Sequence, residues 1–97
     1  MTTDDYNRRV AEALGRHYST NTAHAHLLVP DYATDWTQLP AILAGIFEDP
    51  SVSLTIDLWA DKASVADDGS PAYGEAANML LAAGALLLKL AEQRGKP

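Results

Sequence analysis

Mostly apolar side chains recur at three- and four-residue spacing near the start of the chain, at Val10, Ala13, Leu14 and His17. This spacing places them along one face of an α-helix, where they can contact a core. Acidic residues precede the stripe and basic residues close it, which suits the dipole of a helix. The pattern therefore predicts a first helix from about residue 4 to His17.

A second apolar stripe begins at Leu39 and runs to Phe47. Pro40 fits a helix only in its first turn, because proline has no backbone N–H to donate to the preceding turn. Asp35 with Gln38 three residues later is similar to a capping box. The sequence predicts either a helix that starts near Leu39 or a short turn, capped by Asp35, that restarts there.

Residues 52–59 alternate between two sets of side chains, with an apolar residue at every even position. A period of two predicts a β-strand with one apolar face. Trp59 falls on the opposite, polar face of this strand. Residues 60–62 can turn the chain back, so that residues 63–66 pair with the strand in antiparallel fashion.

Residues 23–29 alternate as well and predict a further strand that ends at Pro30. His24 and His26 lie on one face of it, a spacing that can hold a metal ion when an acidic side chain converges on them. Two ligands without a third do not make a site. We therefore interpret both histidines as structural and predict no metal.

Ser70 followed by Pro71 is typical of a helix start, with serine as the cap and proline in the first position. Gly95 lies where such a helix would end. The sequence therefore predicts a C-terminal helix over residues 71–93.

This helix is unusually apolar, since only Lys89 is polar between Met79 and Ala91. A helix that is apolar all round needs cover all round, and one small sheet covers a single side. The residues that lie outside the stripe facing the sheet are Leu81, Ala85 and Leu88. We predict that these three form the interface of a homo-oligomer.

Together these elements predict one α+β domain over residues 1–97, in which three helices pack a small antiparallel sheet of about three strands. A domain of this size buries only about 60–65% of the surface of its unfolded chain. The chain has no cysteine, which excludes disulfides and thiolate metal sites. Oligomerisation is then the remaining common source of stability.

The beginning of the chain is polar and acidic, unlike the basic and apolar start of a signal peptide. The longest apolar run, from Met79 to Leu88, has 10 residues, whereas a membrane-spanning helix needs about 20. We therefore expect a cytoplasmic protein without a membrane partner.

The net charge of −6 comes from the middle of the chain, because residues 31–75 carry nine acids and a single base, Lys62. Such a segment repels phosphates, so direct binding to nucleic acid is not expected. It suits a partner protein with a basic surface, although acids also serve simply to solvate loops. The predicted partner-binding residues are Asp57, Asp61, Asp67, Asp68 and Trp59.

Motifs of catalysis and cofactor binding are absent from the sequence. It contains no Gly-x-Ser-x-Gly nucleophile turn and no glycine-rich phosphate loop, and its paired carboxylates fall at predicted element ends. We predict no enzyme, no catalytic residue and no cofactor. Arg8, Arg9 and Arg16 could hold a phosphate or carboxylate, which leaves open a protein that sequesters a signalling nucleotide.

Three motifs follow one another along the chain: Val10-Ala-Glu12-Ala-Leu-Gly15, then Pro30-Asp-Tyr32-Ala-Thr34-Asp35, then Ser70-Pro71-x-x-x-Glu75-Ala76 leading into Leu80-Leu-Ala-Ala. In this order the chain resembles the phage ABA sandwich family. That family shows a Val-Ala-Glu-Lys-Val-x-Gly-Trp opening, a Tyr-Ser-Thr-Asp motif and a Thr-x-Pro-x-Ala-Ile-Cys-x-Ala-Ala ending.

The resemblance implies a phage protein with a layered α/β fold, present in the cytoplasm of a host cell, and it assigns no catalytic residue. Small acidic phage proteins often bind and disable host defence factors, so the resemblance favours an anti-defence role. A structural or assembly protein of a phage is the alternative that it leaves open.

Overall fold

A computed structural model of the chain describes residues 2–16 and 29–95. The elements within these ranges are α1 (Thr3–Ala13), a 3-10 turn (Trp36–Gln38), α2 (Leu39–Ile46), β1 (Leu54–Leu58), β2 (Ala63–Asp67), β3 (Tyr73–Ala76) and α3 (Met79–Gln93). The predicted α+β class, with three helices and a three-stranded antiparallel sheet, is confirmed. The predicted strand over residues 23–29 lies almost wholly outside the described residues.

Helix α1 begins where the Thr2 hydroxyl accepts a hydrogen bond from the Asp5 N–H at 3.2 Å. It ends at Ala13, about one turn before the predicted end at His17. Gly15 adopts a φ of +77°, and the Arg16 N–H then donates back to a carbonyl in the last turn of the helix. A glycine in this left-handed conformation is a common helix stop.

Helix α2 has the restarted beginning that was one of the two predicted alternatives. The Asp35 carboxylate accepts hydrogen bonds from the Thr37 N–H at 3.0 Å and from its hydroxyl at 2.6 Å. These bonds cap the 3-10 turn, and α2 follows from Leu39 with Pro40 in its first turn.

The sheet has the order β1-β2-β3, and both pairings are antiparallel. Ile56 of β1 lies opposite Val65 of β2, which in turn lies opposite Gly74 of β3. The predicted hairpin between β1 and β2 is confirmed, since the Trp59 N–H donates to the Lys62 carbonyl at 2.9 Å.

The prediction that the last helix starts at Pro71 is wrong, because residues 73–76 form β3 instead. The Ser70 hydroxyl accepts a bond from the Ala72 N–H at 3.0 Å and so closes a local turn. The helix cap is Asn78, whose side chain accepts from the Leu81 N–H at 3.0 Å. The cap of this helix therefore lies eight residues after the predicted one.

Gly74 shows why a strand forms where a helix was predicted. Glycine is a poor helix former, and here it allows β3 to lie directly against α3. A β-carbon at Gly74 would overlap the carbonyl oxygen of Ala82 and would lie 2.6 Å from the backbone nitrogen of Leu86. The two backbones can approach this closely only because glycine has no side chain.

Helix α3 forms the centre of the domain. It packs on β2 and β3 on one side and on α1 and α2 on the other. The cover that its apolar second face needs is thus supplied largely within the chain. The largest fully buried side chains are Tyr32, Ile42, Ile46, Leu80, Leu86, Leu87, Val10 and Val65.

In the part of the chain that the structure describes, no helix combines the length and the apolar character needed to cross a membrane.

Candidate functional site

Large apolar side chains that remain exposed gather at β1 and at the hairpin that follows it. The exposed fraction is 42% for Ile56, 67% for Leu58 and 50% for Trp59. Burying such side chains against another surface is favourable, at roughly 25 cal/mol for each Å² of apolar area. This end of the sheet is therefore the first candidate for an interaction surface.

The exposure of Ile56 and Leu58 follows from the dimensions of the layers. A helix with its side chains is roughly 10 Å wide, and neighbouring strands lie about 4.8 Å apart, so one helix covers two strands. Helix α3 lies over β2 and β3. Ile56 and Leu58 of β1 continue the same sheet face beyond the helix and stay uncovered, whereas Leu54 is half-buried and packs against the core.

Among residues 2–16 and 29–95, no strand pairs with the backbone of β1 on the side away from β2. The Trp59 N–H donates to Lys62, and Ser53 accepts from the Asp68 N–H at 2.8 Å, so odd-numbered residues bond to β2. Backbone groups of an antiparallel strand point alternately to its two sides. Leu54, Ile56 and Leu58 therefore direct their N–H and C=O groups away from β2.

Among the described residues β1 is the last strand on this side of the sheet. We call this free side of β1, residues 54–58, the open edge. It combines unpaired backbone groups with the apolar side chains of the same residues. Unpaired edges of this kind accept strands from other chains.

The sheet face turned away from α3 is the second component of the site, and we call it the outer face. By register it comprises Thr55, Asp57, Ser64, Ala66, Tyr73 and Glu75. At the ends of the hairpin Trp59 and Asp68 lie on this face as well. It is polar and acidic, in contrast to the apolar inner face.

Hydrogen bonds and ring contacts order the outer face. The Asp68 carboxylate accepts from the hydroxyl groups of Ser53, at 3.3 Å, and Thr55. The Lys62 ammonium lies 4.8 Å from the centre of the Trp59 ring and 3.6 Å from the Glu75 carboxylate. Hydroxyl groups therefore bind one acid of this face, Asp68, and a lysine lies beside another, Glu75.

A second aromatic ring of the outer face also carries a lysine. The Lys89 ammonium lies 4.4 Å from the centre of the Tyr73 ring and donates to the Tyr73 carbonyl at 2.6 Å. Tyr73 is half exposed. Trp59 and Tyr73 are thus accessible rings whose faces already attract cations.

The predicted partner-binding residues divide into two groups. Asp57, Asp61, Asp68 and Trp59 are exposed along β1 and the hairpin. Asp67 is buried on the inner face, with 8% of its surface exposed, and its carboxylate accepts from the Gly69 N–H at 3.0 Å. We leave Asp67 out of the candidate surface.

The predicted oligomer residues of the C-terminal helix, Leu81, Ala85 and Leu88, are each half-buried. Leu88 packs against the core of its own chain, and Leu81 lines a shallow surface pocket beside Tyr6 and Thr34. The structure therefore leaves only part of each side chain for a partner.

Ile56 and Leu58 were not among the predicted contact residues. The width of one helix compared with that of three strands was the signal that could have indicated them.

The candidate anion-binding residues belong to α1 and its end. Arg8 is half-buried, Arg9 is exposed, and Arg16 donates to the Tyr32 hydroxyl at 3.2 Å. The open pocket of about 300 Å³ beside Arg16 is also lined by Glu48, a carboxylate that disfavours anions. The pair His24 and His26 lies outside the described residues.

Three carboxyl groups of the described chain have a lowered pKa. A hydrogen bond from the Thr34 hydroxyl is the main cause of the lowered pKa of Asp31, and one from the Thr37 hydroxyl has the same role at Asp35. The Ser51 N–H lowers the pKa of Asp49. All three donors lie two or three residues further along the chain, so these acids stabilise turns.

Comparison of the chain with protein-family models, with curated proteins and with solved structures gave no match. The resemblance to phage ABA sandwich proteins therefore stays a prediction.

Proposed function

We propose that the protein is a non-enzymatic binding protein that works as a homo-oligomer and uses the outer face to bind a partner protein with a basic surface. The observation that carries the proposal is the pair of exposed rings, Trp59 and Tyr73, each in contact with a lysine of its own chain. Aromatic rings beside carboxylates attract guanidinium and ammonium groups.

The composition of the outer face supports a basic partner over an acidic one. Its exposed charges and those of the adjoining hairpin are Asp57, Asp61, Lys62, Asp68 and Glu75, and Lys89 of α3 reaches the Tyr73 ring. Four acids against two bases give a negative field that attracts a positive partner and speeds its association. Exposed aromatic residues in such a patch commonly supply much of the binding free energy.

The resemblance to phage proteins narrows the proposed partner to a class. Host defence nucleases and nucleic-acid sensors need basic grooves to bind phosphates. An acidic sheet face that occupies such a groove would exclude the nucleic acid. We therefore propose anti-defence inhibition of a basic host factor as the biological role.

A short peptide of nine arginines, labelled with a fluorophore, provides a defined probe of the outer face, with a peptide of nine glutamates as its counterpart. Fluorescence anisotropy should show binding of the arginine peptide only. Replacing both Asp57 and Asp68 by asparagine should weaken this binding about tenfold, since close charge pairs dominate such recognition.

The matched control replaces two exposed acids outside the sheet, Glu12→Gln together with Glu92→Gln, and so removes the same charge. We expect it to change the affinity less than about twofold, because distant charges are screened. Equal weakening in both double variants would show that net charge alone binds the peptide. That result, or no binding to the native protein, would overturn the proposal.

A further inference from the structure

We propose that the open edge binds the open edge of a second copy, in an antiparallel pairing whose two-fold axis passes between the two Ile56 residues. The inference rests on the proposed function in that it specifies how the homo-oligomer is built. It joins two three-stranded sheets into one sheet of six strands with a continuous outer face.

The register follows from the sequence of β1 itself, Leu-Thr-Ile-Asp-Leu, whose apolar positions are symmetric about Ile56. Antiparallel pairing about this residue sets Ile56 opposite its copy and Leu54 opposite the partner's Leu58. Apolar side chains then meet apolar side chains at every position of the inner face. A shift by one residue would place the apolar set of one copy against the polar set of the other.

Backbone geometry is compatible with the same register and excludes a shift by one residue. Leu54, Ile56 and Leu58 are the residues whose N–H and C=O groups point to the open edge. Pairing about Ile56 brings these residues opposite one another, so each pair exchanges two hydrogen bonds. Both patterns exclude a shift by an odd number of residues, and among the even shifts the register about Ile56 is the one that pairs every residue of 54–58 with the same segment of the partner.

Charges on the outer face are compatible with this pairing. Asp57 lies opposite the partner's Thr55, so no two carboxylates stand directly opposite, the arrangement that most destabilises a strand pair. Trp59 lies opposite the partner's Ser53, whose hydroxyl holds the partner's Asp68. Lys62, which covers the Trp59 ring, therefore comes to the same end of the sheet as the partner's Asp68.

The remaining like charges give the pairing a dependence on salt. Asp57 faces the partner's Thr55, and the partner's Asp68 binds that same threonine. The two carboxylates lie near each other on the outer face. Added salt screens their repulsion, so the dimer should tighten as ionic strength rises, and Asp57→Asn should tighten it at low salt.

The inner face gives a reason for a second copy to occupy the edge. A two-fold axis perpendicular to the sheet keeps both α3 helices on the same side. The apolar side chains of the two open edges then lie next to one another between these helices. Each Ile56 and Leu58 loses solvent contact without any change in its own fold.

Cysteine cross-linking of the full chain tests the register, and the absence of native cysteine makes it specific. The Cα atoms of a hydrogen-bonded pair lie about 5.5 Å apart, within the range of about 4.4–6.8 Å that a disulfide spans. Ile56→Cys should therefore form a covalent dimer under mild oxidation. Thr55→Cys should not, because its copy lies on the diagonal at about 8 Å.

A mixture of Thr55→Cys with Asp57→Cys provides the matched positive control, since these two residues face each other in the proposed register. The mixture should give a mixed disulfide dimer, and light scattering should show a dimer for the native chain. Leu58→Lys should make the chain monomeric, while Phe47→Lys, a change at an exposed apolar residue after α2, should not.

Three outcomes would overturn the inference. Cross-linking of Thr55→Cys as efficiently as Ile56→Cys would contradict the register, because it would indicate random collisions or a shift by two residues that sets Thr55 opposite its copy. A native dimer that Leu58→Lys leaves intact would place the interface elsewhere, at α3 for example. A monomer at all concentrations would leave the edge to another occupant, such as residues 17–28 of the same chain. Binding of the arginine peptide could survive each of these results, so the proposed function is tested separately.

Discussion

The Tyr6 side chain of α1 packs directly on the backbone of Gly84 in α3. A β-carbon at Gly84 would overlap the Tyr6 hydroxyl and would lie 2.9 Å from the ring carbon that carries it. That hydroxyl is buried and has no hydrogen-bond partner among the described residues. Burial disfavours the phenolate and raises the pKa of Tyr6 to about 12.

This contact predicts opposite effects for two substitutions. Gly84→Ala should lower the free energy of unfolding by about 1–3 kcal/mol, because a methyl group has no room there. Tyr6→Phe removes an unpartnered polar atom and should raise it by up to about 1 kcal/mol. Urea denaturation measures both changes.

The double variant tests whether the two residues act through one contact. The double variant Tyr6→Phe with Gly84→Ala should be more stable than the sum of the single effects predicts, since removing the oxygen relieves the closest overlap with the added methyl group. Additive effects would mean that the Tyr6 hydroxyl does not limit the approach of α1 to α3.

Gly74 gives a second prediction about close packing, this time between β3 and α3. Gly74→Ala should destabilise the protein by about 3 kcal/mol, because the added carbon meets backbone atoms that cannot rotate away. Gly69→Ala is the control, since the nearest atom to its β-carbon is an Asp67 oxygen at 3.6 Å. Thermal unfolding should show a large loss for the first variant and a change within about 0.5 kcal/mol for the second.

Arg94, which follows the last residue of α3, connects the end of α3 to the end of α2. Its guanidinium donates to the Gly45 carbonyl at 2.9 Å and to the Ile46 carbonyl at 2.8 Å, and these carbonyls close α2. Arg94→Met keeps the apolar stem but removes both donors, and it should cost about 1.5–3 kcal/mol in unfolding free energy.

The nearby ion pair of Arg94 should contribute much less. Glu48 lies 3.9 Å from the guanidinium and is largely exposed, and exposed pairs stabilise by at most about 1 kcal/mol. Denaturation of Glu48→Gln should therefore show a small change. If Glu48→Gln were as destabilising as Arg94→Met, the carbonyl bonds would not be the main contribution of Arg94.

Asp31 predicts a loss of stability in acid. Its carboxylate accepts from the Thr34 hydroxyl and N–H and from the Ala33 N–H, and Asn7 of α1 donates to it at 3.5 Å. The Thr34 hydroxyl is the main cause of its lowered pKa. A lowered folded pKa means that stability is present above the unfolded pKa, about 3.9, and is lost as pH falls through the folded value.

Asp31→Asn should therefore destabilise the protein at neutral pH and lose this effect in strong acid. Thr34→Val, which removes the hydroxyl but keeps the carboxylate, should act in the same direction and raise the pKa of Asp31 as measured by NMR titration. A gap between native and Asp31→Asn stability that is unchanged from neutral to acidic pH would contradict this.

The sequence predicted those parts of the fold that depend on local patterns. The period-two alternation of residues 52–59 predicted β1, and Asp35 and Pro40 predicted the start of α2. Both signals lie within a few residues of the elements that they specify. The α+β class follows from these elements together.

Long-range contacts explain the errors. Residues 73–76 form a strand because they pair with β2 and lie against α3 at Gly74, and neither contact is visible in local sequence. The burial of Asp67 could be predicted from alternation, since Val65 and Asp67 share a face of β2. The predicted strand ends at residue 66, which places Asp67 just outside it, among the predicted partner-binding residues.

The exposure of the open edge depends on how the helices and strands of the whole domain pack. Alternation shows that Ile56 and Leu58 share an apolar face, but not that α3 covers only the two other strands. The apolar excess expected on α3 is largely covered by α1 and α2. The uncovered apolar surface lies on β1 instead, three elements before α3 along the chain.

Residue-specific hydrogen exchange of β1 amides, compared at millimolar and low-micromolar protein, tests the central claim most directly. The N–H groups of Thr55 and Asp57 bond to β2 and should be protected at both concentrations. Those of Ile56 and Leu58 should be protected only at the higher concentration, where the open edges pair. Exchange of the Ile56 and Leu58 amides that is fast at both concentrations, or equally slow at both, would contradict the account.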